Sequence, residues 1–252
     1  VALPRYRRPF GWMPRSAWWA LAPAGSIVVV VFGVEAAPGS ADALTWLALL
    51  AVPPLAAFAL GWIVHGTTPP WAWLAAPLFA VAWAFEGSLT AETASALLSG
   101  LSCVALGWLL VCVVPARWLR IGIYAMAMID AVLIAAELLQ GPSGVLNAAA
   151  PAGLPRLQVL EFGSARMGFG DAFAAATVGC LLVADRRLQL RTAAVAAALG
   201  LSFDLLFFAL DTLPATVPIA LALLVADVTS AGVADQRDRV DAGKAGDRQP
   251  DP

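Results

Sequence analysis

Charge is what this sequence has least of. Only 13% of its residues are Asp, Glu, Lys or Arg, about half of the roughly 25% usual in a soluble domain. Lysine is nearly missing: Lys244 is the only one among 15 basic residues, an arginine bias that fits a GC-rich bacterial genome. The net charge of −2 is nearly neutral and gives no hint of a nucleic-acid partner. Histidine occurs once, at His65, and reads as interfacial and uninvolved. The 3 cysteines, Cys103, Cys112 and Cys180, all lie in apolar stretches, where an odd count argues against a disulfide framework or a metal centre and for small apolar filler. What remains is apolar: 61% of residues are hydrophobic and the mean hydropathy is +0.81. A water-soluble core cannot hide that much apolar surface, so the lipid bilayer must act as solvent.

Apolar runs of roughly 17 to 25 residues are long enough to cross the hydrocarbon core as helices. They fall near 17–34, 43–64, 71–86, 95–115, 119–139, 167–184, 192–210 and 213–229. The fold class read from them is all-α, a polytopic membrane bundle of about eight transmembrane helices. Residues 1–118 hold four amino-terminal spans, 119–229 a second group of four, and 230–252 a polar tail expected to be disordered. The first run is too long for a cleavable signal peptide and lacks a small-residue cleavage site. Trp12, Trp18, Trp62, Trp71 and Trp118 sit towards helix ends, as an interfacial belt requires. Between Gln140 and Met167 lies the one long loop, broken by Gly141, Pro142, Gly144, Pro151, Gly153 and Pro155. Within it Leu154, Leu157, Val159, Leu160 and Phe162 suit a short element lying against membrane or protein. Eight spans put 13 of the 15 basic residues on one side and leave only Arg156 and Arg166 on the other. That asymmetry predicts cytoplasmic termini and an outward-facing long loop.

An acid at membrane depth costs about 2.5–3.5 kcal/mol on the mildest scales and is a functional candidate by default. Five qualify: Asp130, Glu137, Asp171, Asp204 and Asp211. Glu137 and Asp211 are near span ends and read as interfacial. Asp130 is central in the fifth span, and Asp171 follows Met167-Gly168-Phe169-Gly170 at the start of the sixth. Gly168 and Gly170 strip side chains from the backbone before the acid, so another chain can approach closely. The intervening loop returns the chain as an antiparallel neighbour, which brings the two acids towards each other. Two close carboxyls share one proton, the minimal equipment of an aspartic protease. Asp204 remains open between lining a polar cavity, pairing with Arg191, and a buried acid satisfied by serine or backbone. Gly100 and Gly107 read as helix-packing positions.

The stretch Gly163-Ser-Ala-Arg-Met-Gly-Phe-Gly-Asp171-Ala-Phe-Ala-Ala-Ala-Thr-Val-Gly179 resembles the catalytic helix of the presenilin and signal peptide peptidase family of intramembrane aspartyl proteases. That family carries Gly-x-Gly-Asp in one helix, Tyr-Asp in the helix before it and Pro-Ala-Leu two helices later. Here Asp130 takes the first-acid position, Leu139-Gln-Gly-Pro142-Ser-Gly-Val-Leu146 resembles the segment after it, and Leu213-Pro214-Ala215-Thr216-Val-Pro218-Ile219 stands in the place of Pro-Ala-Leu. The likeness covers about residues 120–225. Ile129 replaces the family's tyrosine, Thr216 replaces its leucine, and eight spans are counted where nine are common. An outward loop between the acids matches the signal-peptide-peptidase orientation.

The resemblance implies a presenilin-like bundle and an intramembrane aspartic endopeptidase with Asp130 and Asp171 catalytic. It places Gly168, Phe169, Gly170, Pro214, Ala215 and Thr216 at the substrate, which is a single-span membrane protein or a remnant signal peptide. No cofactor or metal is implied. The expected location is the inner membrane of a bacterium. Three rivals stand beside it. A prepilin-peptidase-like protease also uses Gly-x-Gly-Asp but expects a basic residue soon after the second acid, where Ala172-Phe173 stand. A proton-coupled transporter would string Asp130, Asp171 and Asp204 into a relay, though the repeated halves common in transporters are missing. A non-catalytic scaffold would use the acids only to tie helices together.

Overall fold

The computed structural model describes residues 15–37, 39–64, 69–136, 138, 144–145, 149, 153–163, 165–205 and 215–230. They are helical apart from one small hairpin. A 3-10 turn, Ala17–Leu21, runs into α1, Ala22–Ala36. Next come α2, Ser40–Phe58, ending in a π-helical turn over Ala59–Val64, and a 3-10 turn at Pro69–Leu74 leading into α3, Ala75–Ala84. The long helices α4, Leu89–Val113, and α5, Ala116–Ala135, follow. Strands β1, Val159–Phe162, and β2, Ala165–Gly168, pair antiparallel, and then come α6, Phe169–Leu181, α7, Arg186–Asp204, and α8, Thr216–Ser230.

Among the described residues four helical segments are long and apolar enough to cross a membrane: Ala17–Ala36, Ser40–Val64, Leu89–Val113 and Ala116–Ala135. Their outer faces are apolar as well, with Leu50 77% and Val29 71% exposed. Helices apolar all round belong in lipid or in a large core, so these four have the length and surface of an integral membrane protein. The other four expected spans also coincide with helices, but α3, α6 and α8 are short, and α7 opens with Arg186, Arg187 and Arg191. A bundle of eight crossings is therefore not established by helix length.

Two helix starts differ from the apolar-run reading, both because a cap precedes the run. Ser88 accepts a hydrogen bond from the Ala91 N–H, starting α4 six residues before position 95. Asp185 accepts from the N–H groups of Arg187 and Leu188, starting α7 six residues before position 192. Capping satisfies orphan backbone donors whatever the hydropathy of the first turn. The long loop contains the hairpin, whose strands fold back through Gly163 at φ +60°. Glu92 of α4 accepts the Gly163 N–H at 2.7 Å, Arg166 and Arg156 both pair with Glu161, and Ser99 donates to the Leu157 carbonyl. The short element thus lies against the protein.

α4 is the hub, packed on α2, α3, β1 and, most extensively, α6. Gly107 makes the last contact possible: a Cβ there would lie 2.9 Å from the Thr177 nitrogen and 3.0 Å from its Cα. Gly100 faces Leu160 of β1. A second core joins α5, α6 and α8 through Ile123, Met126, Ala127, Ala174, Val178, Ile219 and Leu223. Gly122 lets α5 press on the Ala20 carbonyl oxygen. All three cysteines are buried thiols within the helices. Pro214, Glu137, Asp211, His65 and the tail from 231 onward lie outside the described residues, as does the side chain of Asp204 at the end of α7.

Candidate active site

Helix α5 buries Met126 and Ala127 against α6 and α8. Asp130 stands one turn after Met126, on the same face of the helix. The bare Gly170 backbone approaches that face, where its missing Cβ would sit 3.7 Å from Met126 Cε. Asp171 follows in the first turn of α6. Both carboxyls are partly buried.

The local sequence sets where each acid rests. Gly168 precedes α6 in extended conformation and has no side chain to cap it. Asp171, three residues on, stands at the acidic position of a capping box. A Cβ at Gly168 would lie 3.0 Å from Asp171 Oδ2, so the absence of a side chain there sets where the carboxylate rests. At the other acid, α8 begins after Ala215, which has no oxygen with which to cap the helix. Asp130 meets its first residue from α5: Thr216 Oγ1 donates to Asp130 Oδ2 at 2.6 Å. Thr216 is 3% exposed.

The far end of α8 is tied to the same helix. Arg120 Nε donates to Asp227 Oδ1 at 2.9 Å and Tyr124 donates its hydroxyl to Asp227 Oδ2 at 3.1 Å. Asp130 meets the start of α8 and Arg120 its end, so the two helices run antiparallel with polar ties at both ends. The apolar run gave no hint of this pair, because Asp227 reads in sequence as the edge of the polar tail. Both side chains are about a third exposed, which limits the tie to roughly 1 kcal/mol. Asp227→Ala is expected to lower the melting temperature in detergent by a few degrees, with the swap Arg120→Asp/Asp227→Arg recovering part of the loss; equal melting of all three proteins would contradict the tie.

Of the residues expected at the site, Asp130, Asp171, Gly168, Gly170 and Thr216 come together. Ala215 lies at the turn into α8, and Phe169 turns away to pack beside α2 and α4, its carbonyl 3.7 Å from Cys103 Sγ. Pro214 and the Asp204 side chain lie outside the described residues. Among the described residues no cluster of three or more His, Cys, Asp or Glu side chains suits a metal ion. No protein-family model, curated protein or solved structure matches the chain.

Proposed function

We propose that the chain is an intramembrane aspartic endopeptidase cutting single-span membrane helices or remnant signal peptides, with Asp130 and Asp171 as its catalytic pair. One observation carries the reading. Two acids from separate apolar helices flank one contact, Asp130 one turn after Met126 and Asp171 next to the Gly170 that meets Met126 Cε, at a place that lipid-embedded helices ordinarily keep free of charge. The third motif, through Thr216, touches the first acid.

The ionised carboxyl takes a proton from water as the water oxygen attacks the scissile carbonyl carbon. The protonated carboxyl gives its proton to the carbonyl oxygen, leaving a neutral gem-diol. Collapse reverses the roles: the first acid protonates the leaving nitrogen, the C–N bond breaks, and a diol proton returns to the second acid. Side chains and water suffice, without a cofactor. The substrate helix must unwind before water reaches its carbonyl. Gly168 and Gly170 leave room for an extended segment beside Asp171, and the backbone around Pro214 and Ala215 offers polar groups to pair with it. In this reading the eight helical segments all cross the inner membrane of a bacterium, with both termini cytoplasmic and residues 119–229 as the catalytic half.

The test is cleavage of a panel of single-span substrates in liposomes by wild type, Asp130→Asn and Asp171→Asn, with a transition-state-analogue aspartic inhibitor as control. Cleavage that the inhibitor and either substitution remove upholds the reading. Folded protein that cuts nothing, or variants that cut as well as wild type, removes it. Gly168→Ala is expected to slow cleavage by roughly tenfold to a hundredfold, since misplacing a catalytic group by about 1 Å costs that much; an unchanged rate would show that the carboxylate does not need this glycine. The scaffold reading draws on the same hydrogen bond, which ties α5 to α8, and predicts no cleavage at all.

A further inference from the structure

The protease reading assigns the pair but not the role of each member, and any division of roles between them rests on that reading. The two acids differ in what they receive. Asp130 accepts a hydrogen bond at 2.6 Å from the hydroxyl of Thr216, a residue of another helix. Asp171 stands in the first turn of its own helix beside the bare Gly168, whose missing Cβ would lie 3.0 Å from its Oδ2. Thr216 is fixed: it is 3% exposed, opens α8, and stands ahead of Ile219 and Leu223 in the core shared with α5 and α6. Its hydroxyl cannot swing to water without leaving a buried polar group unpaired. The opposite end of α8 is held by Asp227 on Arg120 and Tyr124, so Thr216 cannot slide along α5 without breaking that tie as well.

We infer that Thr216 is a positioning residue that makes Asp130 the proton acceptor of the pair, leaving Asp171 to carry the shared proton to the scissile carbonyl. Donors aimed at a carboxylate favour its charged form, and charge-assisted bonds are the stronger kind. With Oδ2 held by Thr216, Asp130 keeps its other oxygen for water. Thr216 therefore acts through Asp130 rather than as a substrate contact.

Thr216→Val keeps the shape of the side chain and removes the donor, and Thr216→Ser keeps the donor. In the liposome cleavage assay Thr216→Val is expected to lose roughly tenfold to a hundredfold in kcat with KM unchanged, and Thr216→Ser to recover most of it. Because the hydroxyl acts on the ionised member of the pair, Thr216→Val is expected to alter the acidic limb of the pH–rate profile and leave the basic limb in place. A rise in KM without a fall in kcat, or a shift of the basic limb alone, overturns the assignment. Full activity in Thr216→Val does so too, and if Asp130→Asn and Asp171→Asn are dead in the same assay, the protease reading survives that failure. If those two are active, the reading itself has failed. Should Thr216→Val not fold, Thr216→Ala against Thr216→Ser gives the same comparison.

Discussion

Under the proposed protease function, Asp130→Asn and Asp171→Asn are each expected to reduce cleavage by at least about a thousandfold, the upper part of the range for losing a general acid or base, while the melting curve hardly moves. Hydrogen bonding explains why activity and stability separate. An asparagine oxygen at 130 still accepts from the Thr216 hydroxyl, so α8 keeps its tie to α5. What disappears is the exchangeable proton. The wild-type rate should pass through a maximum as pH rises, because the pair works only with one proton between its members, and the two limbs belong to the pair rather than to either residue. Cleavage and melting measured on the same preparations decide the matter. Asn variants that unfold would mean the acids hold the helices together, and variants that cut normally would mean they do no chemistry.

Gly107→Leu gives the second large effect, on the fold itself. The atoms that a Cβ at 107 would meet are the Thr177 nitrogen at 2.9 Å, its Cα at 3.0 Å and its Oγ1 at 3.0 Å. Two of them are backbone, and that Oγ1 is already committed to the Phe173 carbonyl at 2.8 Å, so none can swing aside. α4 and α6 must separate, which costs about 1–3 kcal/mol for an overpacked core site and more for leucine than for alanine. Because α6 carries Asp171, cleavage should fall along with the melting temperature. Gly100→Ala is the matched control seven residues earlier on the same helix. The nearest atom there, Leu160 Cδ2, is 4.0 Å away, so alanine should be neutral or stabilise by up to about 1 kcal/mol through helix propensity. Equal thermal melting of Gly107→Leu and Gly100→Ala in detergent would show that the α4–α6 contact is not tight.

The sequence made the helices legible wherever their signal was apolar length. All eight apolar runs contain a helix, and the four longest helical segments have the length of a membrane crossing. It was blind where polar chemistry sets structure. The caps at Ser88 and Asp185 lengthen α4 and α7 into stretches holding Glu92 and Arg191, which hydropathy counts against a helix. The hairpin hid in a loop marked only by its glycines and prolines, since strands of four residues are too short to show alternation. At the site, the likeness in motif order put Asp130, Asp171 and the segment around Thr216 in one place, and hydrogen bonding joins Thr216 to Asp130. The threonine had counted as a substrate contact standing in place of leucine, because nothing in the sequence told that its hydroxyl would find an acid on another helix. Arg120 and Asp227 were missed for the same reason: partners 107 residues apart leave no periodic trace.

The length of α6 has a consequence for the lipid around it. Thirteen residues rise about 20 Å, whereas the hydrocarbon layer is about 30 Å thick. If all eight helices cross, as in the protease reading, α6 is packed against α4, whose 25 residues have the length to span that layer, and leaves a shortfall of about 10 Å for thinner bilayer or water to fill. Glu161, Arg166 and the turn at Gly163 stand beside the start of α6 and can hold water there. Asp171 lies in the first turn at that end. In the protease reading, hydrolytic water then reaches the acids by a shallow polar inlet at the hairpin, and activity should depend on acyl-chain length, falling in bilayers thick enough to close it.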